Sequence, residues 1–148
     1  MKYSFALLIC FICVLPSCIP IHKMTADKPE IVRVIDSLYN ADQSCAEIKP
    51  ADSAEAAFKR VTKSNFTLVA DIFNKYGYPG YDFIGRETSD KYFVLVQHSD
   101  FNVAFQQQVL SKMEKEVLNG NASGENFAFL TDRTEINNGR PQVYGTQV

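Results

Sequence analysis

Apolar residues recur at helical spacing along most of this chain, and this periodicity constrains its fold more than any other feature. In the first such segment, five apolar residues occupy positions i, i+3, i+4, i+7 and i+8 of one helical stripe. Pro29 suits the first turn of that helix, and Lys49-Pro50 ends the segment. Continuing the stripe reaches Asp42, a carboxylate where an apolar residue is expected. The five stripe residues are Ile31, Val34, Ile35, Leu38 and Tyr39.

The spacing predicts a longer second helix over about 53–76, with a break near 62–64. Gly77 supplies the left-handed residue that commonly stops a helix. Tyr78-Pro79-Gly80 makes a turn, and the chain over 81–86 is predicted to be irregular.

A third helix is predicted to begin with Thr88 or Ser89 as its cap. Residues 92–96 form a continuous apolar run that would also suit a buried strand. We favour a central helix, because the neighbouring segments on both sides are helical. Two more helices are predicted over 101–117 and 124–136.

The predicted fold is therefore all-α, an irregular bundle of about five helices with an extended C-terminal strap from Arg140 to Val148. Two roles suit this tail, which is rich in hydrogen-bonding groups. It can close the bundle, with Tyr144 as its anchor, or it can form one wall of a pocket. Closure is favoured, because chain ends are usually disordered unless they are tied down.

The first 18 residues predict an export signal. Lys2 precedes an uncharged run over 3–14, and small residues come just before Cys18. The ending Leu15-Pro16-Ser17-Cys18 resembles the lipobox of bacterial lipoproteins, which implies cleavage before Cys18 and a lipid on its sulfur. An uncleaved membrane anchor is the alternative. Either arrangement tethers the domain to a membrane.

These signals predict a signal peptide over 1–17, a lipidated tether over 18–28 and a single α-helical domain over 29–148. The expected location is the bacterial cell envelope, on the outer membrane and facing the periplasm. The membrane, reached through the N-terminal lipid, is the first predicted partner.

Cysteine usage predicts a domain without a disulfide. Of the four cysteines, Cys10 and Cys13 leave with the leader and Cys18 carries the lipid, so Cys45 has no partner. Cys45 is expected to be a buried, inert thiol rather than a nucleophile. One thiol and one histidine in the domain do not make a zinc site, so no metal or cofactor is predicted.

The charge balance predicts no nucleic-acid partner. The formal net charge is −2 and becomes one unit more negative once Lys2 is removed. No cluster of Lys and Arg supplies the basic surface that a phosphate backbone requires. An envelope protein or a small ligand is the expected partner instead.

Polar motifs run through the predicted domain in a fixed order. They are Asp42-Gln43, Tyr76-Gly77-Tyr78-Pro79, Gly85, Gln97-His98-Ser99-Asp100, Gln106, Leu130-Thr131-Asp132-Arg133 and Arg140-Pro141-Gln142-Val143-Tyr144-Gly145-Thr146-Gln147. Together they resemble an uncharacterised bacterial family that is catalogued only as a domain of unknown function. The resemblance covers about 31–147 and implies the extent of the domain. It implies no mechanism, because that family has no established activity.

His98 is the candidate for acid–base chemistry, because the only other histidine, His22, lies in the tether. Orientation by Asp42, Asp100 or Asp132 would suit an imidazole that exchanges protons near neutral pH. The alternative is a core histidine satisfied by a backbone carbonyl. Asp100 also has a structural alternative, as the N-cap of the fourth helix.

Arginines supply the candidate binding groups. Asp132 and Arg133 either form a solvated surface pair or turn inward with Arg140 to hold an anionic group through forked hydrogen bonds. Arg133 or Arg140 is also expected to neutralise Asp42, because a buried carboxylate needs a partner. The other candidate binding residues are Gln43, Gln97, Gln142 and Tyr144.

Two classes of function fit these residues. The first, which we favour at this stage, is a binding or scaffolding lipoprotein of the envelope. The second is a small envelope hydrolase or acid–base enzyme that uses His98 with Asp100 or Asp132 and an arginine clamp. Convergence of His98, an aspartate and an arginine on an open cavity would favour the enzyme, whereas burial of these groups beneath Tyr144 would favour the binding protein.

Overall fold

The computed structural model describes residues 28–147, and within them the chain is all-α. This part contains six α-helices, two single-turn 3₁₀ helices and no strand, which confirms the predicted fold class. The leader and most of the tether lie outside the described residues. The helices are α1 (Lys28–Ser44), α2 (Ala51–Tyr76), α3 (Tyr81–Ile84), α4 (Arg86–Gln97), α5 (Val103–Leu118) and α6 (Gly124–Asn137), and the 3₁₀ helices are Cys45–Glu47 and Asp100–Asn102.

Helix α4 is the centre of the bundle, since it contacts the other five helices. Tyr92 and Val96 are completely buried, and the Tyr92 hydroxyl donates a hydrogen bond to the Val69 carbonyl of α2 at 2.9 Å. The apolar run over 92–96 is therefore helical, as predicted. A helix that is surrounded on several sides is apolar around much of its circumference, which is why its pattern resembles that of a buried strand.

The predicted stripe of α1 faces the core. Ile31, Ile35 and Leu38 are buried, and Asp42 on the same stripe is only 2% exposed. These apolar side chains join a single core cluster with residues of α2, α4 and α5. Helix α1 thus carries a carboxylate into the interior, as its spacing predicts.

Helix α2 is continuous, so the predicted break near 62–64 is wrong. Thr62 is buried inside the helix, and its hydroxyl donates to the Phe58 carbonyl one turn earlier at 2.8 Å. The Asn65 side chain donates to the Leu38 carbonyl of α1 at 3.1 Å. Both polar side chains therefore have partners that permit an unbroken helix.

Two predicted helix caps are also wrong. Helix α4 begins at Arg86, after Gly85, so Thr88 and Ser89 lie buried within it instead of capping it. The N-cap of α5 is Asn102, whose side chain accepts a hydrogen bond from the Phe105 amide. Asp100 is not available for this role, because its carboxylate binds groups from other parts of the chain.

A helical turn, α3, occupies part of the segment that was predicted to be irregular. Asn121, in the loop between α5 and α6, holds its N-terminus. The Asn121 carbonyl accepts from the Tyr81 amide at 2.9 Å, and its side-chain oxygen accepts from the Asp82 amide at 2.7 Å. The partner lies about forty residues away, so the local pattern does not reveal this turn.

In a search of the described helices for membrane-spanning segments, none had both the length and the apolar character required.

Candidate functional site

His98 lies just after the C-terminus of α4 and pairs with Asp42 of α1. Its Nδ1 atom is 3.0 Å from Oδ1 and 2.9 Å from Oδ2 of Asp42. Because a carboxylate only accepts, Nδ1 carries the proton that is donated. The Gln43 amide donates a further hydrogen bond to Asp42 at 2.8 Å. The prediction that an arginine neutralises Asp42 is therefore wrong, because its partner is His98.

The two members of this pair differ in exposure. The Asp42 side chain is 1% exposed, whereas that of His98 is 23% exposed. Within residues 28–147, no hydrogen bond occupies Nε2 of His98. The buried carboxylate thus orients a ring whose second nitrogen is left for a ligand.

Two adjoining cavities meet at His98. The smaller has a volume of about 340 Å³ and the larger about 490 Å³. Glu55, Phe58 and His98 line both, and the Phe58 and His98 rings pack edge to face at 5.0 Å. The remaining lining residues are Asp42, Gln43, Cys45, Ala46 and Ala54 in the smaller cavity, and Lys59, Thr62, Lys63, Asp100 and Phe101 in the larger.

The wall that α2 contributes was not predicted from the sequence. Its residues occur at positions i, i+3, i+4, i+7 and i+8, which is one helical face. This spacing was visible, but the face mixes charged, aromatic and hydroxyl side chains, so a search for apolar stripes passes over it. The five residues are Glu55, Phe58, Lys59, Thr62 and Lys63.

Asp100 lines the larger cavity but pairs with Arg133 of α6. Arg133 Nε donates to Asp100 Oδ1 at 2.7 Å, and Nη2 donates to Oδ2. Burial raises the pKa of Asp100, but hydrogen bonds from Arg133, Gln106 and Asn137 lower it by more than burial raises it. The pKa therefore falls below its usual value. The guanidinium is thus bound to a protein carboxylate, which argues against the predicted use of Arg133 as a free anion clamp.

Gln106 binds the residues that precede His98 in the chain and the residue Asp100 that follows it. Its buried side-chain amide donates to the carbonyls of Val96 at 3.1 Å and Gln97 at 3.0 Å, and to Asp100 at 3.2 Å. Gln97 therefore contributes its backbone carbonyl here. By joining the end of α4 to the following 3₁₀ helix, Gln106 holds the turn that carries His98.

Asp132, a predicted catalytic residue, binds the C-terminal tail instead. Its Oδ1 accepts from the amides of Val143 at 2.6 Å and Tyr144 at 2.8 Å, and its Oδ2 accepts from the Thr146 amide at 2.7 Å and hydroxyl at 2.9 Å. Burial raises the pKa of Asp132, but these four donors outweigh it and bring the pKa to about 2. Asp132 is the anchor of the tail.

The tail bends at Val143 and Tyr144 and folds back on itself, so the prediction that it is extended is wrong. Tyr144 is not its anchor, because this residue is 55% exposed. Gln142 holds the end of the tail by donating to the Gln147 carbonyl and accepting from the Gln147 amide, both at 2.8 Å. The carboxylate of Asp132 and the amide of Gln142 therefore fix the tail, mostly through main-chain groups.

Arg140 lies on the surface and pairs with Glu135 through two hydrogen bonds of 2.5 and 2.7 Å. The predicted polar residues thus form separate clusters around Asp42, Asp100 and Asp132, with Arg140 outside them. Among the described residues, no three His, Cys, Asp or Glu side chains are close enough together to hold a metal ion.

The Asp132 anchor leads to a prediction about the tail. Asp132→Asn is expected to speed hydrogen exchange at the Val143, Tyr144 and Thr146 amides by about tenfold to a hundredfold, because charge-assisted hydrogen bonds are lost. The folded pKa lies below the ordinary 3.8, so this stabilisation is complete above pH 3.8 and is lost as the pH falls through about 2. NMR of these amides against pH measures both effects. Unchanged exchange in the variant would contradict the assignment, and Glu125→Gln, at an exposed position of the same helix, is the control.

The comparisons with known proteins identify a family but no activity. A family described as a family of unknown function (DUF6624) matches residues 40–148, which include Asp42, His98 and the tail. No curated protein and no solved structure matches the chain. The chain belongs to the DUF6624 family, whose function is unknown.

Proposed function

We propose that this protein is a small acid–base enzyme in which His98, oriented by Asp42, moves protons on a small substrate bound beside α2. The observation that carries the proposal is the hydrogen bond from Nδ1 of His98 to the buried Asp42 carboxylate, at the junction of two open cavities. The sequence alone favoured a binding protein. His98 and an aspartate converge on open cavities, whereas Arg133 and Arg140 pair with Asp100 and Glu135. We favour the enzyme on the histidine–aspartate pair.

The geometry suits proton transfer for a specific reason. The Asp42 carboxylate keeps the proton on Nδ1, so the lone pair lies on Nε2, and it stabilises the imidazolium that forms when Nε2 takes a second proton. In a hydrolysis, Nε2 takes a proton from water as the water oxygen bonds to the electrophilic atom. The bond to the leaving group then breaks, and Nε2 returns the proton to that group.

The assignment of roles differs from the first hypothesis. Asp42 replaces Asp100 and Asp132 as the partner of His98, because those two carboxylates bind Arg133 and the tail. In this proposal Asp42 and Gln106 are positioning residues, and Gln43 supports Asp42. Among these four residues, only His98 exchanges a proton with the substrate.

The test is a survey of hydrolytic activity. Full-length protein purified in detergent is assayed on chromogenic carboxylic esters, phosphoesters and amides across pH 5 to 9. We expect turnover of at least one class that is lost in His98→Gln. Saturable binding near His98 without turnover of any class would overturn catalysis and restore the binding protein as the function.

We further propose that the domain is tethered to the bacterial envelope through a lipid on Cys18, at the outer membrane and facing the periplasm. Support comes from the basic start, the short apolar run and the Leu15-Pro16-Ser17-Cys18 ending. A tether places the enzyme beside substrates of the envelope.

Intact-mass analysis of protein extracted from membranes tests this tether. We expect a chain that begins at Cys18 and is heavier than its sequence by the mass of acyl chains and glycerol. In Cys18→Ser this added mass should disappear, and the protein should keep its leader. A wild-type chain that retains residues 1–17 without added mass would instead indicate an uncleaved anchor.

A further inference from the structure

We propose that the substrate of the His98 site combines an apolar body with an anionic end, and that Lys63 binds the anionic end. This inference rests on the proposed function, because it concerns the same pair of cavities. It adds a substrate class to the reaction type proposed for His98.

The position of His98 between the cavities indicates the shape of the substrate. His98 and Phe58 line both cavities, with Lys63 beside only the larger one and Cys45 beside only the smaller one. A compound that fills both must pass the His98 ring. The reacting bond would then lie near the middle of the molecule, with one part of the substrate on each side.

Apolar surface is available along this path. Phe58 is partly buried against the His98 ring. Phe101 is 48% exposed at the larger cavity, and its ring packs edge to face on Phe66 at 5.2 Å. In the smaller cavity, Ala46 and Ala54 offer methyl groups. Exposed aromatic surface held in place by its neighbours favours contact with an apolar body.

The charges of the larger cavity indicate the other part of the substrate. Lys59 pairs with Glu55 at 2.5 Å, and Asp100 pairs with Arg133. In the part of the chain that the structure describes, Lys63 has no ion pair or side-chain hydrogen bond. One uncompensated ammonium therefore remains beside the cavity, and it favours a carboxylate or a phosphate on the ligand.

A matched pair of probes tests this inference. The probes are 4-phenylbutyrate and its uncharged amide, which share a phenyl ring and a chain of the same length. Amide chemical shifts of the full-length protein give the two dissociation constants, and protection of His98 from diethyl pyrocarbonate reports the location of binding. At low salt we expect the carboxylate to bind about threefold to fivefold more tightly than the amide, as for an exposed ion pair, and salt to reduce this ratio.

The variants assign the preference to one residue. Lys63→Gln should bring the ratio of dissociation constants close to 1, whereas Lys63→Arg should keep it. Lys112→Gln, which removes a lysine beside a different cavity, should leave the ratio unchanged. Loss of preference in the first variant alone supports the role of Lys63.

Several results would overturn the inference. These are equal binding of both probes to the wild-type protein, binding of neither probe, or an unchanged preference in Lys63→Gln. The proposed function is judged separately by turnover and by its loss in His98→Gln. An enzyme that is active but shows no preference for the anionic probe would keep the acid–base assignment and lose only the substrate class.

Discussion

Replacing His98 by Gln is expected to lower kcat/KM by about 10²–10⁴-fold, the usual contribution of a positioned general acid or base. The Gln amide can still donate to Asp42, but it cannot take and return a proton. Because His98 is partly exposed and lies at the edge of the core, the free energy of unfolding should change little. Turnover on the best substrate and thermal unfolding by circular dichroism measure the two effects.

A second variant distinguishes catalysis from structure. Asp42→Asn keeps the shape of the side chain but removes the charge that stabilises imidazolium, so kcat should fall while KM changes little. Arg140→Gln breaks only a surface pair and serves as the control with normal activity. If His98→Gln unfolds the protein, or if it retains full turnover, His98 is a structural residue and the proposed mechanism is wrong.

Replacing Gly80 by Ala is expected to lower the free energy of unfolding by about 2–3 kcal/mol, the cost of inserting a group into a tightly packed site. A Cβ atom at this position would lie 2.7 Å from the Asn121 carbonyl oxygen and closer still to the Asn121 side chain. Asn121 cannot move away freely, because its carbonyl and side chain hold the N-terminus of α3. Chemical denaturation measures the change.

Gly124→Ala is the matched control for this substitution. A Cβ atom there meets only a Val117 methyl group at 3.7 Å, an ordinary contact. Since Gly124 is the first residue of α6, alanine should leave the stability unchanged or raise it slightly. Equal effects at Gly80 and Gly124 would show that the close approach of Asn121 does not limit stability.

Helix periodicity was the most reliable guide to this fold. It predicted the buried stripe of α1. The run over 92–96 also suits a strand, and its helical structure was predicted from the helical segments on both sides. The predictions failed at Thr62, where a break was expected, and at Thr88 and Ser89, where a cap was expected. Their actual environments depend on burial within the bundle, which the local sequence does not contain.

The candidate site was likewise predicted only in part from the sequence. The motifs drew attention to His98 and Asp42, and the stripe of α1 predicted that Asp42 is directed inward. The pairing of these residues was not predicted, because 56 positions separate them. The enzyme hypothesis paired His98 with Asp100 or Asp132, and Asp42 was expected to meet an arginine. The catalytic and binding roles of the candidate residues stay predictions until activity is measured.

Sequence by itself determined the helical segments, the inward direction of Asp42 and the family, because each depends on spacing or on ordered motifs along the chain. Tertiary structure alone decided which carboxylate meets which partner: Asp42 pairs with His98, Asp100 with Arg133, and Asp132 with the tail. The physical reason is that a buried charge takes whichever donor the packing of distant helices brings within reach, and that choice depends on positions in space, not on spacing along the chain.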